Sequence, residues 1–154
     1  MPFSRRDFLA ASIALCASLP AQAAPLIGAA SQLLLPRSKN RRVVIVGGGW
    51  GGLSAARHLR DLAPGLEVVL LEKNPSFWSL PMSNKWLTGL ADDKYLAHDY
   101  RAAASAYGYT FIQAEVSDID RDKRRVITPL GGLDYDWLIL ATGIRYDYEA
   151  WYGN

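Results

Sequence analysis

The order of apolar and polar positions along the chain predicts alternating strands and helices. Residues 43–46, Val-Val-Ile-Val, form an unbroken β-branched run of the kind found in a parallel strand covered on both faces. Beyond a glycine cluster, Leu53, Ala56, Leu59 and Ala63 recur at the spacing of one helix face while Arg57, Arg60 and Asp61 point outward, so a helix is predicted over 51–62. Pro64-Gly65 ends it, and 67–71 reads as a second strand with Glu72 at its carboxyl end. A second helix is predicted over 92–106, with Leu96, Tyr100, Ala103 and Ala104 inward, followed by a strand over 109–114. Three short strands then cover 116–120, 124–128 and 133–141, the first two joined by a hairpin at Arg121-Asp122-Lys123 and the last preceded by Pro129-Leu130-Gly131-Gly132.

The amino terminus has a different pattern. Ser4-Arg5-Arg6-Asp7-Phe8-Leu9 leads into an apolar run that reaches Leu19, and Ala21-Gln22-Ala23 supplies the small residues that a signal peptidase reads. Residues 1–23 are therefore read as a twin-arginine export signal cut before Ala24, which makes the expected location periplasmic. A membrane anchor is the competing reading, but the run is about a dozen residues and is broken by Pro20, against roughly 20 needed to span a bilayer. No stable anchor is expected after cleavage. Residues 24–40, with Pro25, Gly28 and Pro36, read as a linker that packs loosely on a domain over 41–154.

Composition narrows the function classes. Half of the 154 residues are apolar and 21% are charged, as in an ordinary globular chain, and the length allows one domain. Net charge is +2 and falls by one with the loss of Arg5, Arg6 and Asp7, so there is no basic excess to suggest nucleic acid. The one cysteine, Cys16, lies in the leader. The remaining chain has no thiol for a disulfide, a nucleophile or a metal site, and His58 and His98 have no spaced partners, so they read as surface residues.

Gly47-Gly48-Gly49-Trp50-Gly51-Gly52 fills the turn between the first strand and the first helix and satisfies G-x-G-x-x-G at Gly47, Gly49 and Gly52. Gly47 permits a tight turn, Gly49 lets backbone approach a pyrophosphate, and Gly52 lets the helix lie close on the strand. Glu72 stands 20 residues after Gly52, where an acid accepts ribose hydroxyls and repels a 2′-phosphate. Glycine-rich turns often serve only as turns. Here strand, turn, amphipathic helix and terminal acid agree in order, which points to a dinucleotide.

The chain then departs from a simple NAD-binding unit by an aromatic, prolyl excursion over 74–84 and by the short strands that return to Ala141-Thr142-Gly143. From residue 41 to 147 this resembles the FAD domain of the glutathione-reductase-like flavoproteins. The fold implied is α/β, a Rossmann-like FAD-binding domain with a parallel sheet and an antiparallel three-stranded excursion. The resemblance implies that Gly143 contacts the flavin nucleotide beside Ala141, that Thr142 caps the turn, and that Val116 offers backbone to the adenine. It also places Lys73, beside Glu72, in the cofactor-binding set.

Glu72-Lys73-Asn74-Pro75-Ser76-Phe77-Trp78-Ser79-Leu80-Pro81-Met82-Ser83-Asn84 is similar to a loop of the flavoprotein subunit of flavocytochrome c sulfide dehydrogenase. That resemblance implies a periplasmic enzyme oxidising sulfide, with electrons passing through FAD to a cytochrome c partner, and with a redox cysteine pair that this sequence lacks. In members with covalent FAD a cysteine occupies the place of Leu80, so non-covalent FAD is expected. Phe77, Trp78 and Trp86 are candidates to border the flavin ring, with plain packing as the alternative. The basic group Arg121, Lys123, Arg124 and Arg125 reads as a solvated hairpin, with docking of an acidic cytochrome as the other option. No residue is assigned a catalytic or metal-binding role. The sequence is expected to be an amino-terminal fragment with an incomplete flavin domain. Two further readings stay open: another exported FAD or NAD(P) oxidoreductase of different substrate, and a non-catalytic nucleotide-binding module.

Overall fold

The structure, a computed structural model, describes residues 33–144 and 147–153, so the expected leader and the first part of the linker lie outside the described residues. The first half of the chain runs β1 (Arg42–Val46), α1 (Trp50–Leu62), β2 (Glu67–Glu72), β3 (Ser76–Trp78), a 3-10 turn (Leu80–Met82), α2 (Ser83–Leu87), α3 (Asp93–Leu96) and β4 (Ala97–Asp99). The second half runs α4 (Tyr100–Tyr107), β5 (Thr110–Gln113), β6 (Asp118–Asp120), β7 (Arg125–Thr128), β8 (Gly131–Asp134), β9 (Trp137–Leu140) and α5 (Tyr148–Tyr152). A parallel four-stranded sheet in the order β5-β2-β1-β9 forms the centre, and β6-β7-β8 make a separate antiparallel sheet. This is the expected α/β class.

The unbroken apolar runs of β1 and β2 follow from their position between two layers. Alternate residues serve opposite faces. Val43, Ile45, Val68 and Leu70 enter a core with Ala56 of α1 and Tyr100 and Ala104 of α4. Val44, Val46, Val69 and Leu71 enter a second core with Val126, Leu133 and Tyr135 of the antiparallel layer. Helices thus cover one face of the sheet and the three-stranded layer covers the other.

Three sequence expectations are corrected. The helix expected over 92–106 is broken: α3 ends at Leu96, β4 pairs antiparallel with β3, and α4 restarts behind Asp99. The Asp99 carboxylate accepts from Arg101 N at 2.8 Å, and Asp92 caps α3 in the same way from Tyr95 N at 3.1 Å. Each cap satisfies a helix-end amide that a continuous helix would bond internally. His98 therefore lies on β4, exposed, rather than on a helix. The strand expected over 133–141 is two strands in two sheets, because Tyr135 N bonds Arg124 O and Asp136 N bonds Arg42 O. Arg60 does not point into solvent. Its guanidinium donates to Pro64 O and Leu66 O at 2.9 and 2.6 Å and ties the end of α1 to the loop before β2.

The described end of the linker is docked more firmly than expected. Leu33 bridges Gly132 in parallel, Leu34 N bonds Gly132 O at 2.8 Å, and Leu34 and Leu35 pack on the second core. Arg42, 1% exposed, holds the segment: its guanidinium donates to the Pro36 carbonyl and the Asp134 carbonyl and forks onto both Glu67 oxygens at 3.0 Å. A buried guanidinium needs such a full set of acceptors. Partial burial works against Glu67 ionising, but hydrogen bonds from Arg42 and Ser38 and the charges of Arg42 and Arg37 outweigh it and hold the carboxyl below its ordinary value of 4.5.

Two outcomes follow from this packing. The Glu67–Arg42 contribution is fully present above the ordinary carboxylate value and is lost as pH falls through the lowered folded value. Glu67→Gln is expected to cost about 1.5–3 kcal/mol near neutral pH, and the gap from wild type in denaturant unfolding should close on acidification; a gap independent of pH would contradict the ion pair. Gly52→Ala would drive a Cβ into the Gly47 backbone carbonyl, which cannot yield as a side chain would. It is expected to cost about 1–3 kcal/mol, whereas Gly65→Ala, which meets nothing within 4 Å, should leave thermal unfolding almost unchanged.

Candidate functional site

β1 leads through α1 to β2 on one side, and the chain returns through β9 on the other, so the carboxyl ends of β1 and β9 flank a topological switch point. Gly47 leaves β1 at φ +102°, with its N–H on Leu71 O at 2.8 Å and the missing Cβ facing the Ala141 carbonyl at the end of β9. Only glycine combines that φ with that approach. Gly52 faces the Gly47 carbonyl in the same way and brings α1 onto β1. Gly49 differs from both: a Cβ there meets nothing within 4 Å. It is the N-cap of α1, and its carbonyl takes the first helical bond from Leu53 N at 3.0 Å. Among the described residues the N–H groups of Gly49, Trp50 and Gly51 have no protein acceptor. The first turn of α1 carries no acidic side chain. Open space, free amides and the positive end of a 13-residue helix together suit an anionic group such as a pyrophosphate.

Glu72, half-buried at the end of β2, faces the same turn. One carboxylate oxygen accepts from Gly48 N at 2.8 Å, and the other accepts from Asn74 N and Asn74 Nδ2 at 2.9 and 2.7 Å. These bonds fix the carboxylate, and the oxygen that accepts only from Gly48 N keeps acceptor capacity for a hydroxyl. Lys73 is exposed, with Nζ 3.9 Å from Glu115.

A cleft of about 850 Å³ opens beside Gly49, Trp50 and Glu72, walled by Phe77, Trp78, Leu80, Pro81 and Tyr100 on one side and by Ala141, Thr142 and Gly143 on the other. Trp50 meets Phe77 edge to face at 5.1 Å. A smaller recess of about 180 Å³ beyond Glu72 is bounded by Gly47, Lys73, Glu115, Val116 and Thr142. The residues singled out in sequence, Gly47 to Gly52, Glu72, Lys73, Val116 and Ala141 to Gly143, thus all lie around one end of the sheet. Thr142 makes no side-chain hydrogen bond among the described residues. Trp86 stands outside the cleft wall, while Phe77, Trp78 and Leu80 belong to it.

Two contributors went unnoticed in sequence. Asn74 braces the acid two residues before it, and Asn after a strand-terminal carboxylate is a common turn signal. Tyr100 was placed on the inward face but read as core. Its hydroxyl donates to Gly48 O at 2.8 Å.

Known proteins resemble this chain in sequence and fold. The structure of the sulfide:quinone oxidoreductase from Aquifex aeolicus superposes with a TM-score of 0.64 at 30% identity, covering 68% of this chain and 25% of that one. The type II NADH:quinone oxidoreductase of Haemophilus influenzae is 32% identical over 112 residues, 70% of this chain and 25% of the relative. The flavoprotein chain of the flavocytochrome c sulfide dehydrogenase of Chlorobaculum thiosulfatiphilum is 50% identical over 44 residues, 29% of this chain and 92% of the relative sequence. This chain spans about a quarter of the length of the first two. The family model described as pyridine nucleotide-disulphide oxidoreductase matches residues 41–148, across the glycine turn, the Glu72 end of β2 and the return through β9, and the chain belongs to that family.

Proposed function

We propose that the chain is the FAD-binding part of an exported oxidoreductase that takes electrons from sulfide and delivers them to a cytochrome c. The observation that carries the cofactor reading is the turn at Gly49: a backbone position open on its cleft side, with free amides, beside a braced carboxylate. In this reading the first turn of α1 holds the pyrophosphate, Glu72 orients the ribose, and Val116 borders the adenine. Phe77 and Trp78 exclude water from the cleft. Bound FAD would supply the ability to accept an electron pair and release electrons singly. No residue of this chain is assigned to the attack on sulfide.

Sulfide as donor is supported by the 50% identity with the sulfide dehydrogenase flavoprotein chain. That relative supports a cytochrome partner in the same degree, and residues 1–23 support export in a folded state. A second reading, an NADH-dependent donor, is favoured by the Haemophilus relative. Non-covalent attachment rests on Leu80, which is 69% exposed in the cleft wall and has no sulfur to form a thioether.

Full-length chain purified from a host competent for twin-arginine export is expected to show flavin absorbance bands that move wholly to the supernatant on acid precipitation; colour retained in the pellet would refute non-covalent binding. In the longest natural product of the gene, sulfide is expected to bleach those bands and NADH to leave them, and the reverse would favour the second reading. Glu72→Ala is expected to weaken FAD binding by about ten- to a hundredfold, the loss of hydrogen bonds to a charged acceptor, as read by equilibrium titration of flavin fluorescence.

A further inference from the structure

The proposed FAD site depends on a side chain that sits behind it. Tyr100, the first residue of α4, is 4% exposed, and its hydroxyl donates to the Gly48 carbonyl at 2.8 Å. The preceding peptide is held from the other edge, because Gly48 N donates to Glu72. Two consecutive peptides of the glycine turn are thus gripped by two side chains. The second grip bears directly on the open position. A peptide unit is planar and trans, so its carbonyl and amide point to opposite sides. Fixing the Gly48 carbonyl toward Tyr100 fixes the Gly49 N–H away from it. Gly49 is the position whose Cβ side is empty and whose amide has no protein acceptor.

We propose that Tyr100 is a positioning residue for the nucleotide: by holding the Gly48 carbonyl it sets the plane of the Gly48–Gly49 peptide and aims the Gly49 amide at the cofactor phosphate. This rests on the FAD reading and deepens it. Hydrogen bonding at the carbonyl also polarises the peptide, which strengthens its N–H as a donor. The packing around Tyr100 is consistent with a fixed anchor. Its ring stacks on Phe111 with centroids 5.0 Å apart and meets Phe77 edge-on at 6.5 Å. Burial, and then the nearby charge of Glu72 and the neighbouring Tyr109, push its pKa up to about 12, so the phenol remains a proton donor throughout the working pH range. Gly48 is glycine for the same reason: a Cβ there would lie 2.6 Å from the Tyr100 ring. The side chain and the glycine opposite it form one device.

The test compares Tyr100→Phe with Tyr109→Phe in the full chain. Tyr109 is the control, since its hydroxyl is buried in the same core with no hydrogen-bond partner. Each protein is titrated with FAD, and the amide resonance of Gly49 is followed in the cofactor-free state. Tyr100→Phe is expected to weaken FAD binding by about three- to tenfold and to shift the Gly49 amide, while Tyr109→Phe changes neither. FAD binding equal to wild type in Tyr100→Phe would overturn the positioning role and leave the FAD reading standing. A fall in melting temperature with unchanged affinity would assign Tyr100 to packing alone, which also overturns it. Failure of the wild-type chain itself to take up FAD would overturn the FAD reading and the inference together.

Discussion

The contact between the two backbone carbonyls at the end of the sheet and the two glycines that face them sets the geometry of the molecule. Gly47 lies on the Ala141 carbonyl and Gly52 on the Gly47 carbonyl, each closer than any side chain permits. The first contact joins β1 to the end of β9, and the second draws α1 onto β1. Remove either and the helix must lift or the strands must part. The amides at the start of α1 then no longer converge on the place where Glu72 and the Ala141–Gly143 turn meet. The cleft is therefore a consequence of backbone packing before it is a set of side chains.

The two cores explain how that packing is held. A sheet covered on both faces has no solvent side to fix its register by alternation, so register must come from what each face touches. α1 and α4 read the odd positions of β1, and the antiparallel layer with Leu34 and Leu35 reads the even ones. Arg42 is the exception in an otherwise apolar strand. Its place at the amino end of β1 lets it reach β2 through Glu67, β8 through the Asp134 carbonyl and the linker through the Pro36 carbonyl. One buried cation thus ties together the end of the domain opposite the cleft.

Much of this was legible in the sequence where a single local rule governs. Continuous β-branched runs marked β1 and β2, the 3.6-residue spacing marked α1, and the glycine spacing with Glu72 marked the site. What was misread depends on contacts that periodicity cannot express. Residues 92–106 keep a helical apolar face across the break, so Leu96, Tyr100 and Ala104 are inward as expected although the backbone between Leu96 and Tyr100 is extended. The cap residues Asp92 and Asp99 carried the missing signal. The run 133–141 reads as one strand despite Asp134 and Asp136, and nothing in its pattern says that Leu133 belongs to one sheet and Leu138 to another. Only the hydrogen bonds of Tyr135 and Asp136 to Arg124 and Arg42 make the division.

A site built mainly from backbone has a consequence for how the family diverges. The amides of α1, the Gly47 turn and the carbonyls of β9 present the same chemistry whatever the neighbouring side chains are, provided the glycines remain. Proteins at about 30% identity to this chain can therefore share the fold while one is named for sulfide and another for NADH. Side chains face the cleft at Trp50, which meets Phe77, and at Trp78 and Leu80 on the loop after β2. That loop has anchors of its own, the β3–β4 pairing and the bond from Ser79 N to Leu96 O at 2.9 Å, beside the packing of Phe77 on the helix-side core. On the proposed reading the labour is divided, in that backbone at the start of α1 holds the phosphates and the loop after β2 shapes what lies beyond them.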